Sequence, residues 1–133
     1  MILLTVDEIL VLHGQLLSAT GGASGLRDRG LLESAVYSTY ASFDAVEQYP
    51  TVEEKSARLA FSLVNNHAFV DGNKRIGMLV MLATLRLNEK SISYDQSELI
   101  DLGLRVANGS CHYQGILSWI LQHEGGCPRC NPD

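Results

Sequence analysis

The most constraining feature of the sequence is the apolar stretch IGMLVMLATLRL at residues 76–87. Only Thr84 and Arg86 interrupt it, so apolar side chains would point in every direction around a helix. A helix that is apolar all round must be buried on every side, which places it at the centre of a bundle. The stretch is shorter than the ~20 residues that a membrane-spanning helix needs. We therefore expect a buried core helix and no membrane association.

Other segments supply helices to surround this one. Thr5-Val-Asp-Glu8 and Thr51-Val-Glu-Glu54 are capping boxes that predict helix starts, and Gly21-Gly22 predicts the end of the first helix. Helices are expected from Thr5, over residues 31–40, from Thr51 to Asn66, from Lys74 to Leu87, near 97–108 and near 113–123. Residues 42–50 are expected to be irregular, and no strand pattern stands out. The predicted class is all-α, a bundle of about six helices around a central apolar helix.

The length of 133 residues suits one domain, which we place at residues 1–124, with a tail at 125–133. Fifteen acidic against ten basic residues give a net charge of −5, a poor match for direct DNA binding. The first residues, MILLTVDEIL, lack the positive region of a signal peptide. We expect a cytoplasmic protein.

A polar segment, HAFVDGNKRIG at residues 67–77, lies between two of the predicted helices. Gly72 permits a sharp turn there. The N–H groups that follow it would sit at a helix N-terminus, where unpaired N–H groups and the helix dipole favour an anion. Lys74 and Arg75 work against that dipole, so stability alone would not select them. A bound anion would offset the conflict.

Two more residues of this segment suit phosphate chemistry. Asp71 is an oxygen ligand of the kind that Mg²⁺ prefers, and the imidazole of His67 suits a general base at neutral pH. Together they predict phosphoryl or nucleotidyl transfer to a hydroxyl. Each part alone is ordinary, since Asp-Gly-Asn is a common turn and a Lys-Arg pair is commonly solvated. Only the ordered set is informative.

The ordered set resembles the Fic/Doc pattern His-x-Phe-x-Asp/Glu-Gly-Asn-Gly/Lys-Arg at every fixed position. GLRDRGLLESAV (residues 25–36) and YPTVEEKSARLAFSLVNNHAF (residues 49–69) are also similar to the family's flanking segments. The resemblance covers roughly residues 3–122. Lys74 is typical of the Doc branch, the toxins of bacterial toxin–antitoxin pairs.

The resemblance implies a helical Fic-type fold and a kinase that uses ATP and Mg²⁺ to phosphorylate a threonine of elongation factor Tu, which arrests translation. It also implies a separate antitoxin peptide as a partner. The implied roles are a general base for His67, a Mg²⁺ ligand or nucleophile guide for Asp71, phosphate binding for Gly72, Asn73, Lys74 and Arg75, and a loop anchor for Phe69.

Two alternatives remain at this point. The first is the AMP transfer of other Fic enzymes, which usually have glycine at the position of Lys74 and arginine at the position of Met78. The second is a Fic-like protein that binds nucleotide or antitoxin without turnover. Residues 42–50 occupy the place of the Fic flap, which aligns a target's backbone, and an ordinary loop is an equal alternative.

The tail suggests a separate hypothesis. Cys127 and Cys130 form half of a structural zinc site, and His123 could be a third ligand. Cys111 or His112 could be a fourth. A loose tail with two thiols is the simpler interpretation.

Overall fold

A computed structural model describes residues 1–124 as six helices and one small β-hairpin. The elements are α1 (Val6–Thr20), α2 (Arg29–Ser38), β1 (Ser42–Phe43), β2 (Val46–Glu47), α3 (Val52–Asn66), α4 (Asn73–Leu87), α5 (Gln96–Ala107) and α6 (Tyr113–His123). The predicted helical class and the number of helices are confirmed. No helix among these residues is long and apolar enough to cross a membrane.

Both predicted capping boxes are formed. The Thr5 side chain accepts a hydrogen bond from the Glu8 N–H, and the Glu8 carboxylate accepts one from the Thr5 N–H. Thr51 and Glu54 exchange the same pair of bonds at the start of α3. Because these bonds satisfy N–H groups that a helix leaves unpaired, the local sequence sets where α1 and α3 begin.

Helices α3 and α4 form the centre of the bundle. Helix α3 packs against α2, α4, α5 and α6, and α4 packs against α1, α3 and α5. Ile76, Val80, Met81 and Leu85 of α4 are fully buried. The predicted central helix is therefore confirmed as interior, although it shares the centre with α3.

A glycine brings these two helices close together. A Cβ built on Gly77 would lie 2.6 Å from Cγ2 of Val64 and 3.2 Å from the carbonyl oxygen of Ala60. Side chains at this position would push α4 away from α3. The close contact holds the end of α3 and the start of α4 in a fixed relation, and the segment between them carries the motif.

The expectation of an irregular segment at residues 42–50 is wrong for its first half. Ser42 pairs with Glu47 and Phe43 pairs with Val46 in an antiparallel hairpin. Asp44 and the following alanine both have positive φ, as a tight two-residue hairpin turn requires. Asp-Ala is a weak signal for such a turn, and strands of two residues leave no alternation to detect.

The hairpin is fastened to α3 by a buried lysine. The Nζ of Lys55 donates to the Thr39 carbonyl oxygen at 2.8 Å and to Oε1 of Glu47 at 2.9 Å. Only 5% of the Lys55 side chain is exposed. A buried ammonium needs such partners, so the hairpin and the end of α2 supply what this lysine requires.

Candidate active site

The motif forms the turn between α3 and α4. His67 ends α3 with left-handed dihedral angles, φ 54° and ψ 47°, and Gly72 precedes α4 with φ 78°. A Cβ on Gly72 would lie 2.9 Å from Cδ2 of Leu17. Gly72 is therefore required both by its backbone conformation and by the close approach of α1.

The side chain of Asn73 closes the loop. Its Nδ2 donates to the Phe69 carbonyl oxygen and its Oδ1 accepts from the Phe69 N–H, both at 3.0 Å. The Phe69 ring is 2% exposed and stacks on His13, with centroids 3.7 Å apart. Both polar atoms of the Asn73 amide are thus engaged within the loop. The backbone N–H of Asn73, in the first turn of α4, has no intrahelical acceptor.

Histidine 13 supports the loop from α1. It is buried, and its Nε2 lies 2.8 Å from the Asp71 carbonyl oxygen. Because a carbonyl oxygen can only accept, Nε2 carries the proton and donates. The residue therefore fixes the backbone at Asp71 while its ring covers Phe69.

The segment before α2 holds the other side of the loop. Leu26 pairs with Phe69 in an isolated antiparallel bridge, and the Arg27 N–H donates to the Ala68 carbonyl oxygen at 2.7 Å. The Arg27 guanidinium donates through Nε to the His67 carbonyl oxygen at 2.8 Å. These bonds hold the backbone of His67 while leaving its imidazole exposed.

Arg75 and Asp71 are held by the chain that follows α1. Nη1 of Arg75 donates to Oγ1 of Thr20 and, at 2.8 Å, to the carbonyl oxygen of Gly21. Oδ2 of Asp71 accepts from the Ala23 N–H at 3.2 Å. Nη2 of Arg75 lies 3.8 Å from Oδ1 of Asp71, which is too long for a direct hydrogen bond. The two charged groups therefore form an ion pair without a direct hydrogen bond.

Hydrogen bonds keep Asp71 ionised. The N–H of Gly72 and then the N–H of Ala23 donate to its carboxylate, and together they hold the pKa of Asp71 below its usual value. Arg75 adds a smaller effect in the same direction. A carboxylate that is charged at neutral pH and half exposed suits a divalent cation.

The start of α4 is open to a ligand. No side-chain group of residues 1–124 caps it, and its first-turn N–H groups have no intrahelical acceptors. Lys74 is exposed beside them. The start of α4 thus combines unpaired N–H groups, the positive end of a helix dipole and two cations, which are the parts of an anion site.

A cleft of about 470 Å³ brings the predicted polar residues together. Its lining includes His67, Asp71, Gly72, Asn73, Lys74 and Arg75. Phe69 lies beneath this surface rather than in it. One wall of the cleft thus carries an imidazole, an ionised carboxylate and two cations at the uncapped start of α4.

Sequence reasoning missed His13 and Thr20, and it interpreted Gly22 only as part of a helix end. A Cβ on Gly22 would lie 2.8 Å from Oδ2 of Asp71 and 2.9 Å from Nη2 of Arg75. The double glycine was the available signal, because a helix end needs only one.

The zinc hypothesis is not tested by the described residues, since Cys127 and Cys130 lie outside them. Within residues 1–124, no three His, Cys, Asp or Glu side chains are placed to hold a metal. Nδ1 of His123 lies 2.7 Å from the Trp119 carbonyl oxygen and Nε2 lies 3.1 Å from Oε2 of Glu98. Metal binding by His123 would have to displace one of these contacts.

Comparison of the sequence with known proteins identifies its family. Residues 3–85, more than half of the chain, match the Fic/DOC family. Toxin Doc of Mycolicibacterium smegmatis is 37% identical over 100 residues, which cover 74% of this chain and 77% of the relative. Protein kinase doc of Escherichia phage P1 is 31% identical over 119 residues, which cover 90% of this chain and 93% of that protein. The chain belongs to the Fic/Doc family.

Proposed function

We propose that this protein is the toxin of a toxin–antitoxin pair and that it acts as a protein kinase. It would transfer the γ-phosphoryl group of a nucleoside triphosphate, ATP, to a Thr or Ser hydroxyl of a translation factor. The observation that carries the proposal is the cleft that joins His67, Asp71, Lys74 and Arg75 at the uncapped start of α4. The similarity to proteins named Toxin Doc and Protein kinase doc supports it.

The residues of the cleft fit a triphosphate with Mg²⁺. The open N–H groups of α4, with Lys74 and Arg75, suit phosphate oxygens. The ionised Asp71 carboxylate suits the metal ion. Mg²⁺ bound there would neutralise charge on the phosphates.

His67 would act as the base. Its exposed imidazole would accept the proton of the target's hydroxyl as that oxygen attacks the γ-phosphorus atom. The bond from that phosphorus atom to the bridging oxygen breaks, and ADP leaves with the electron pair. Lys74 and Arg75 would hold the charge that develops on the phosphate oxygens. Arg27 would keep His67 in place through its carbonyl oxygen.

Two positions favour phosphoryl transfer over AMP transfer. Lys74 adds bulk and charge where AMP-transferring relatives usually have glycine. Met78, at the position of their additional arginine, is 6% exposed and lies against Gly103 of α5. This side chain belongs to the core and offers no charge to a phosphate group. AMP transfer is the second candidate, and the mass of the modification distinguishes the two.

Elongation factor Tu is the proposed target, and the bacterial cytoplasm is therefore the proposed location. An antitoxin peptide is the proposed partner. A mostly apolar groove of about 480 Å³ runs between α1, α4 and α5 and reaches Lys74 and Arg75 at one end. An amphipathic segment with an acidic end would match both its apolar lining and its cationic end.

The test is to incubate the purified protein with ATP, Mg²⁺ and a bacterial translation extract, and to weigh the modified proteins by mass spectrometry. A phosphate-sized shift on the elongation factor is expected. It should be absent with His67→Ala and present with His112→Ala, which changes an exposed histidine outside the cleft. An AMP-sized shift would contradict the kinase proposal, and an unmodified extract that responds to a known Doc kinase would contradict the proposed target.

A further inference from the structure

The connection from the last residue of α1 to Ala23, residues 20–23, lies directly against the two charged side chains of the cleft. It contacts Arg75 through Thr20 and Gly21, and it contacts Asp71 through Ala23. We infer that residues 20–23 are a positioning element that sets the direction of the Arg75 guanidinium and the Asp71 carboxylate for a phosphate–metal ligand. The inference rests on the proposed function for the identity of that ligand.

The contacts with Arg75 direct its remaining donors. A guanidinium has five N–H donors in a fixed fork. The two on Nη1 are directed at Thr20 and the Gly21 carbonyl oxygen, which leaves Nε and Nη2 for other partners. A long side chain that is already held loses less conformational freedom when a ligand binds. Arg75 is therefore preorganised by residues that would not themselves touch the ligand.

The contacts with Asp71 keep the carboxylate and the Arg75 guanidinium from forming a direct hydrogen bond with each other. An Asp–Arg pair four residues apart on a helix start can close into a direct ion pair. Here the Ala23 N–H donates to Oδ2 of Asp71. Nη1 of Arg75 donates instead to the Thr20 hydroxyl and to the Gly21 carbonyl oxygen. The nearest approach of the pair is 3.8 Å. Residues 20–23 thus leave the carboxylate and the guanidinium as a loose ion pair, whose nearest atoms are not hydrogen-bonded to each other.

Gly22 shows how closely this segment is fitted to the site. A Cβ there would lie 2.8 Å from Asp71 and 2.9 Å from Arg75, whereas a Cβ on Gly21 would have no atom of residues 1–124 within 4 Å. Both glycines have positive φ, 88° and 122°, so alanine strains the backbone at either. The two positions form a matched pair, because alanine strains the backbone at both but only a Cβ on Gly22 would face the charged side chains.

Thr20 offers an independent test of the same inference. Its hydroxyl donates to the Leu16 carbonyl oxygen at 2.8 Å and accepts from Arg75. Thr20→Val keeps the shape and removes the acceptor, and Thr20→Ser keeps the acceptor. If Thr20 only joined α1 to α4, Thr20→Val would lower the melting temperature and the ligand affinity together. A positioning role predicts a loss of affinity without a matching loss of stability.

The experiment compares the purified chain with Gly21→Ala, Gly22→Ala, Thr20→Val and Thr20→Ser. The dissociation constant for ATP with Mg²⁺ is measured by calorimetry without a protein target. Melting temperatures are recorded, and the side-chain Nε–H signal of Arg75 is followed by NMR in the free protein. Gly22→Ala is expected to weaken binding about tenfold or more relative to Gly21→Ala at similar melting temperatures. Thr20→Val should weaken binding about threefold or more, and Thr20→Ser should restore it.

Equal losses of ATP affinity in the two glycine variants would overturn the inference, and so would an unchanged ATP affinity in Thr20→Val. If Gly22→Ala does not fold, the two Thr20 variants decide. If the wild-type chain does not bind ATP with Mg²⁺, the proposed function fails and the NMR comparison decides. An Arg75 signal that moves further in Gly22→Ala and Thr20→Val than in Gly21→Ala supports positioning, and one that moves in none of them refutes it.

Discussion

Helices α3 and α4 begin in opposite ways, although they pack side by side. Helix α3 starts with the Thr51–Glu54 capping box and has two acids in its first turn. Helix α4 starts at Gly72, with no side-chain cap among the described residues, and has cations and no acid in its first turn. Acids complement the positive end of a helix dipole and cations oppose it, each by about 0.3–1 kcal/mol.

The difference separates a helix start that is satisfied within the chain from one that is not, and we expect the second to bind a ligand. The start of α3 is satisfied by its own side chains. The start of α4 has no side-chain cap among residues 1–124 and carries cations that oppose its dipole, so an anion from outside the chain is the partner that we expect. Helix α3 has 15 residues, about four turns, and its far end leads into the start of α4, so the two helix starts can be altered separately.

Charge reversal at the start of α4 should have the largest effect. Lys74→Glu is expected to lower phosphoryl transfer by about 100-fold or more, because it places a carboxylate in the phosphate cradle. Unfolding in urea should show unchanged or slightly higher stability, since an acid suits a helix start. The matched control is Arg86→Glu in the last turn of α4, which should keep transfer and lower stability. Retained transfer in Lys74→Glu would remove the basis for a phosphate cradle.

The buried lysine of α3 sharpens the comparison. Lys55 is also a cation near a helix start, but its ammonium has protein acceptors in Thr39 and Glu47. Lys55→Met should destabilise the fold by about 1–3 kcal/mol, because it leaves a buried carbonyl oxygen unpaired. Lys74→Met should not, because the Lys74 side chain is exposed and its replacement buries no unpaired group. Chemical denaturation measures the unfolding free energy of the two variants, and equal losses of that free energy would contradict the prediction.

Removing a cap should affect stability alone. Thr51→Ala is expected to cost about 1 kcal/mol of unfolding free energy, and ATP binding under native conditions should be unchanged. Thr5→Ala at the start of α1, where the same capping box occurs, should give a similar loss. A Thr51→Ala protein that is folded but does not bind ATP would show that the two helix starts are coupled.

The smallest effect concerns a carboxyl pair near the start of α3. Burial and then the neighbouring Glu53 raise the pKa of Glu124 to about 7, while Lys90 lies 3.2 Å from the Glu53 carboxylate. Between pH 4.5 and 7 the folded state therefore holds a proton that the unfolded chain releases, so stability falls as the pH rises through this window. Glu124→Gln should flatten that slope and raise stability at pH 8 by less than about 1 kcal/mol. If the melting temperatures of the wild-type chain and of Glu124→Gln had parallel pH profiles, the raised pKa of Glu124 would be contradicted.

The parts of the fold that the sequence predicted depend on short-range signals. The caps at Thr5 and Thr51 link residues three apart, and the apolar stretch of α4 needs no partner to be recognised. The hairpin was missed because its strands have two residues each and its turn is Asp-Ala. Local signals of ordinary strength were lacking there.

The site divides in the same way. The cleft residues could be predicted because they are contiguous in the motif, from His67 to Arg75. The supporting residues could not, because their partners are far along the chain. His13 and the Asp71 carbonyl oxygen are 58 residues apart in sequence, and Thr20 and Arg75 are 55 apart. Only the folded structure shows that α1 supports the loop.

The bond between the Phe69 N–H and Oδ1 of Asn73 lies over a ring that is buried against His13. We expect the amide hydrogen of Phe69 to exchange with solvent only when the whole domain unfolds. The loop would then not melt while the surrounding bundle persists. Control of the cleft would then fall to a molecule that covers it rather than to local disorder.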